Sequence, residues 1–131
     1  MTRATNHFTG VMTVAVVVAD QERAAAFYVD TIGFEKRMDV PMPGGQRWIE
    51  VAPPGADTTL ALVAATSERT AGADTGIRLA TDDASADHLH LRAVGVDVDP
   101  EVLRWPGVPP MFSWRDCEGN TLYAVERPTV R

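Results

Sequence analysis

The stretch from Val11 to Phe34 reads VMTVAVVVADQERAAAFYVDTIGF, and it decides the fold. Its first part, Val11 to Ala19, is a β-branched run and predicts a strand. Asp20 stands where a helix N-cap belongs, because its short carboxylate can accept from the free N–H groups of a first turn. Gln21 to Asp30 supplies helix material around Ala24, Ala25, Ala26 and Phe27, and Gly33 stops it. Strand, cap, helix and glycine stop thus follow one another within a single short stretch.

The same order returns later in the chain. Gly76 to Ala80 predicts a strand, Asp82-Asp83 a cap, Ala84 to Val94 a helix, and Gly95 a stop. Asp20 to Gly33 and Asp82 to Gly95 span the same interval, so the chain reads as an internal duplication. Each helix is followed by three strand signals. In the first half they are Phe34 to Val40, Arg47 to Ala52 and Thr58 to Val63, separated by a turn at Pro41, Pro43, Gly44 and Gly45 and another at Pro53-Pro54-Gly55. In the second half they are Val96 to Val98, Met111 to Arg115 and Thr121 to Glu126, with a Pro-rich loop over 99–110 and a turn at Cys117 to Asn120. The expected architecture is α+β: two βαβββ modules, about 11–63 and 76–126, joined by a small, polar linker over 64–75 (AATSERTAGADT). Each sheet carries one helix on its outer face, and the mixed sheets curl around a cleft. The whole chain of 131 residues is one domain's worth.

Composition narrows the function. With a net charge of −6, the chain lacks the basic face that nucleic acid or an anionic membrane requires. Its longest apolar run, Val14 to Ala19, is too short to span a bilayer. The single cysteine, Cys117, can form no internal disulfide, and MTRATNHFTG has no apolar leader, so a cytoplasmic setting is expected. Cys117 lies among acids that raise a thiol pKa, so it is expected to be inert.

Val18-Ala19-Asp20, Ala26-Phe27-Tyr28 and Ile32-Gly33-Phe34, with Phe112-Ser113-Trp114-Arg115-Asp116-Cys117-Glu118-Gly119-Asn120 near the end, carry a resemblance to the vicinal oxygen chelate superfamily, the glyoxalase/bleomycin-resistance/dioxygenase fold. Cys117 and Glu118 stand where that family's turn has Pro-Asp. The resemblance runs from about Val11 to Glu126. It implies a metal site of His, Gln or Glu on the first and last strand of each half. Here those positions are Thr13, Gly76 (or Thr75), Ala61 and Tyr123, which make no divalent-metal set. No metal and no cofactor is therefore expected. His7, His88 and His90 read as solvated surface residues.

Period-two alternation sorts the strands into two faces. Val14, Val16, Val18, Trp48, Leu60, Leu62, Ile77, Leu79, Phe112, Trp114 and Leu122 form an apolar set, expected under the helices with Phe27 and Leu91. Thr13, Arg47, Ile49, Ala61, Arg78, Met111, Ser113 and Tyr123 fall in the opposite, mixed set, which suits a ligand pocket better than a dry core. Glu50 and Glu126 fall on the side away from the pocket. Arg47 and Arg78 are read as forks for an anionic or oxygen-rich ligand, or else as ion pairs at a subunit interface. Trp105 is read as a lid that stacks on a flat ligand, or as an interface residue.

The leading expectation is a metal-independent binder of a small aromatic or oxygen-rich molecule. The resemblance to bleomycin-resistance-like members implies natural-product sequestration by a homodimer. The alternative is a glyoxalase-like lyase or isomerase, or a dioxygenase, using the same cleft, with Tyr123 as the one catalytic candidate. No general base is legible in the cleft register. A pure protein-interaction module is the third reading.

Overall fold

A computed structural model describes residues 5–128. The first module contains β1 (Thr13–Val18), α1 (Gln21–Ala26), a π-helical turn (Phe27–Ile32), β2 (Glu35–Pro41), β3 (Arg47–Ala52) and β4 (Thr59–Ala64). The second contains β5 (Asp74–Thr81), α2 (Ala84–Ala93), β6 (Asp97–Val98), β7 (Met111–Arg115) and β8 (Thr121–Glu126). Two four-stranded sheets result, ordered β1-β4-β3-β2 and β5-β8-β7-β6. In each, the outer pair β1/β4 or β5/β8 is parallel and the other pairs are antiparallel. The α+β duplication is thus the architecture, and each module carries one helix.

The helices begin where the caps predict. The Asp20 carboxylate accepts from the Arg23 N–H at 3.0 Å, and the Asp83 carboxylate from the Ala86 N–H at 3.0 Å. The first helix ends differently from its sequence pattern. After Ala26 it widens into a π turn that closes at Gly33, whose φ of 91° is left-handed and whose N–H reaches the Tyr28 carbonyl. The wider turn presents Tyr28 to the core, where it is fully buried.

The helix-side faces of both sheets join in one core. Val16, Val18, Ile49, Val51, Leu60 and Leu62 meet Phe112, Trp114, Leu122 and Ala124 around Tyr28 and Leu91. The Asp116–Asn120 turn locks the modules together. The Tyr28 hydroxyl donates to Asp116 Oδ2 at 2.7 Å, and the Asn120 amide to the Val17 carbonyl at 2.9 Å. Asp116 also accepts from the Glu118 and Asn120 N–H groups, at 2.8 and 2.9 Å. Asn120 Oδ1 takes the N–H groups of Gly72 and Ala73, which draws the connecting segment onto the same turn. The D-C-E-G-N motif is therefore an inter-module clasp. Burial and the neighbouring Asp116 carboxylate push the Tyr28 hydroxyl far above its ordinary pKa, so it stays a donor.

His88 departs from the surface placement. It is buried on α2, with Nε2 at 2.7 Å from the Asp99 carbonyl and its ring edge-on to Phe112. A packed histidine and a solvated one have the same sequence signature on a helix. His7 and His90 are exposed.

Candidate functional site

With the helix-side faces committed to the core, each sheet leaves its other face open. On the first sheet, residues paired across the ladders share a face: Thr13 with Thr59, Ala15 with Ala61, and Ala61 with Glu50. On the second, Arg78 and Ser113 both pair with Tyr123, and Arg115 pairs with Thr121. Thr13, Ala61, Arg78, Met111, Ser113 and Tyr123 therefore lie on open faces, as the alternation predicts.

Arg47 and Ile49 do not. Ile49 pairs with Leu62 and Val51 with Leu60, which turns Ile49 to the helix side, where it is fully buried. Arg47 shares that side. It forks onto Asp39 at 3.0 and 2.5 Å and pairs with Glu22 of α1. Gln21 buckles the strand to the helix by donating to the Arg47 and Leu62 carbonyls, at 2.6 and 2.8 Å. β3 is thus inverted relative to the sequence assignment, and Trp48 and Glu50 take the open face. Trp48 misled because its ring suits a core while its indole N–H needs a partner. That N–H donates to Glu50 Oε2 at 2.7 Å. The usable signal was Ile49-x-Val51, two β-branched residues alternating with a carboxylate.

Glu50 anchors the first open face. Its Oε1 accepts from the Thr59 hydroxyl at 2.7 Å, and Thr13 Oγ1 lies 2.8 Å from Thr59 Oγ1. These donors, Thr59 first and then Trp48, hold the Glu50 carboxyl below the usual carboxylate range against the opposing effect of burial. Ala61 gives the face a small, covered floor beside them.

On the second sheet, the Tyr123 hydroxyl donates to Asp74 Oδ2 at 2.7 Å, and the Arg78 guanidinium lies 4.5 Å from the Tyr123 ring centroid. That hydrogen bond holds Asp74 below its ordinary pKa, helped by the Gly76 N–H, and it raises the Tyr123 pKa. Asp74 reaches this face through an irregularity in β5 between Asp74 and Arg78, where Gly76 has a φ of 71°. An advance of four residues along β5, from Asp74 to Arg78, stands against an advance of two along β8, from Thr121 to Tyr123, and the metal-ligand position of this strand falls inside that stretch, at Thr75 or Gly76. The hydrogen bonds favour Thr75, whose hydroxyl donates to the Thr121 carbonyl as that of Thr13 does to Thr59. The Ser113 N–H and hydroxyl both donate to Asp99 Oδ2, at 2.8 and 2.7 Å. Arg115 bridges Asp97 and Asp99, each at 3.0 Å. Burial works to raise Asp99, but the Ser113 donors and Arg115 overcome it and hold it low.

Trp105 is two-thirds exposed (66%), in the loop whose Leu103 pairs with Met111 along the outer edge of the second sheet. A groove of about 850 Å³ runs between the 53–58 turn and β5, and of the expected pocket residues it includes only Arg78. The chemistry is concentrated instead on the two open faces. Burial, with help from Asp116, pushes the Cys117 thiol up. At the four positions where the resemblance implies metal ligands, the side chains do not fit a divalent ion: Thr13 and Thr75 bond to the chain, Ala61 has no donor and Tyr123 is tied to Asp74. Among the described residues no three His, Cys, Asp or Glu side chains converge.

The Glyoxalase/Bleomycin resistance protein/Dioxygenase superfamily model matches residues 6–121. The chain belongs to that superfamily. It is 36% identical to TnmS3, an antibiotic binding protein from Streptomyces sp. CB03234, with a TM-score of 0.82 over 92% of this chain and 98% of that one. A superfamily member from Sphaerobacter thermophilus DSM 20745 is 33% identical, with a TM-score of 0.86 and the same coverage of 92% and 98%. The protein YetH of Bacillus subtilis (strain 168) is 29% identical over 87% of this chain and 95% of its own length. Superfamily membership and the likeness to an antibiotic binding protein fit small-molecule binding. No helix among the described residues is long and apolar enough to cross a membrane.

Proposed function

We propose that this chain is a metal-independent small-molecule-binding protein that sequesters an aromatic or oxygen-rich natural product in the manner of the bleomycin-resistance-like members. The observation that carries this reading is the occupancy of the four metal-ligand positions by Thr13, Thr75, Ala61 and Tyr123, with every hydroxyl already bonded. Likeness to the antibiotic-binding TnmS3 supports it. Thr13, Ala61, Arg78, Met111, Ser113 and Tyr123 form the proposed ligand walls, joined by Trp48 and Glu50. Trp105 closes them at the rim.

Both walls stand open in the single chain: Ala15, Arg78 and Ala80 are exposed. A homodimer that sets one protomer's wall against its partner's encloses a ligand, and its setting is the cytoplasm. Light scattering at micromolar concentration is expected to give twice the chain mass. For the metal, plasma mass spectrometry on untagged protein is expected to find well under one equivalent of nickel, zinc, iron or manganese. Near-stoichiometric metal would overturn the proposal. Bound natural product is expected to be recovered chemically unchanged.

One observation favours the enzymatic alternative, a glyoxalase-like lyase or isomerase. Besides the Arg115-bound Asp97 and Asp99, the open faces hold the carboxylates of Glu50 and Asp74, so a base is present that alternation places elsewhere or misses. Tyr123 is then a held hydrogen-bond donor rather than a ready acid, since Asp74 raises its pKa. A converted ligand, recovered after incubation, would select this reading over sequestration.

A further inference from the structure

The wall on the first sheet can be read by counting its protons. Thr59 has one hydroxyl proton, and the 2.7 Å contact to Glu50 Oε1 is its charge-assisted use. Thr13 is then the donor of its own pair, to Thr59 Oγ1 at 2.8 Å or to the Thr59 carbonyl at 3.2 Å. The Trp48 indole proton goes to Glu50 Oε2 at 2.7 Å. A chain of donors therefore runs across β1, β4 and β3 and ends on one carboxylate. The Thr59 and Trp48 protons go to Glu50 and the Thr13 proton to Thr59, so none of these three remains for a ligand's acceptor.

Glu50, by contrast, keeps capacity. A carboxylate has about four lone-pair sites, and one donor on each oxygen leaves the rest open. Among the described residues it has no salt bridge, whereas Asp97 and Asp99 share the Arg115 guanidinium and Asp74 accepts from Tyr123. The two donors also fix its rotamer and hold it ionised at neutral pH. Ala61 lies across the ladder from it, and Trp48 shares its strand face.

We propose that Glu50 is the polar anchor of this wall, and that it selects flat apolar ligands presenting a protonated amine or a hydroxyl over ligands that carry only acceptors. The inference rests on the small-molecule reading above, and on this wall it reverses the ligand polarity that an Arg47 in the pocket implies.

The test is a nuclear magnetic resonance titration of the full chain with two probes sharing one ring system. 2-Naphthylmethylamine is an ammonium donor at pH 7, and 2-(methoxymethyl)naphthalene accepts only. A hydrogen bond to a charged group predicts about ten- to hundred-fold tighter binding of the amine, with shifts at the Trp48 indole N–H. In Glu50→Gln the preference is expected to collapse while the ether binds as before. Thr59→Val, which unties one carboxylate oxygen, reports the same loss in part and serves if Glu50→Gln does not fold. Equal binding of both probes to the wild-type open face would overturn the role of Glu50 and leave the ligand wall standing. Absence of shifts on the open faces with either probe would overturn both. Preference for the amine that survives intact in Glu50→Gln would place the selectivity elsewhere and overturn the inference.

Discussion

Replacing Tyr28 by Phe removes one oxygen from the clasp between the modules and nothing else. The lost contact is the 2.7 Å hydrogen bond to Asp116 Oδ2, made inside a core where Tyr28 is fully buried. Hydrogen bonds to a charged acceptor are worth about 1.5–3 kcal/mol. Asn120 Nδ2 remains on the same oxygen at 3.1 Å, so Asp116 is not orphaned, and the lower part of that range applies. The expected cost is about 1.5–2 kcal/mol. For 131 residues, an unfolding entropy of about 2 cal/mol/K per residue turns this into a fall in Tm of roughly 5–7 °C. Urea unfolding followed by circular dichroism measures it directly, with a lower midpoint and an unchanged m-value. Probe binding to the open faces is expected to be unaffected, because Tyr28 lies on the helix side. A cost below about 0.5 kcal/mol, the scatter of ordinary surface changes, or a gain in stability, would refute the claim that this turn holds the modules together.

Ile49→Ala, a deletion in the helix-side core, is expected to cost about 2–5 kcal/mol, whereas Trp48→Ala is expected to weaken binding on the open face more than it weakens the fold. Equal and small stability effects for the two would invert β3 again. Gly33→Ala forces a side chain into a φ of 91° and is expected to destabilise by about 1 kcal/mol in chemical denaturation. Stability should also fall in acid. Arg47 and then Lys36 hold Asp39 at about 2, and Glu50, Asp74, Asp97 and Asp99 are lowered too. The folded chain therefore binds fewer protons than the unfolded one over this window. That stability is present above the unfolded carboxylate value of about 4 and is lost as pH falls toward the folded values. A urea midpoint that is flat between pH 5 and about 2 would contradict these ion pairs.

The sequence by itself determined the duplicated α+β architecture. Caps at Asp20 and Asp83, stops at Gly33 and Gly95, and β-branched runs are local signals, and local hydrogen bonding satisfies them wherever the segment lies. It also determined the face of every strand whose apolar residues are unambiguous, β1, β4, β7 and β8 among them. Tertiary structure decided the rest. The face of β3 follows from the ladder that sets Ile49 beside Leu62, because with a period of two a single choice at Trp48 reverses the whole strand. Asp74 came to Tyr123 through an irregularity that sets an advance of four residues along β5 against two along β8, and no local sequence signal announces it. The π turn that swings Tyr28 toward Asp116, and the donor chain that converges on Glu50, join residues far apart in sequence. Such contacts exist only once the sheets have paired, so the site's electrostatic sign on the first sheet was written in the fold rather than in any one segment.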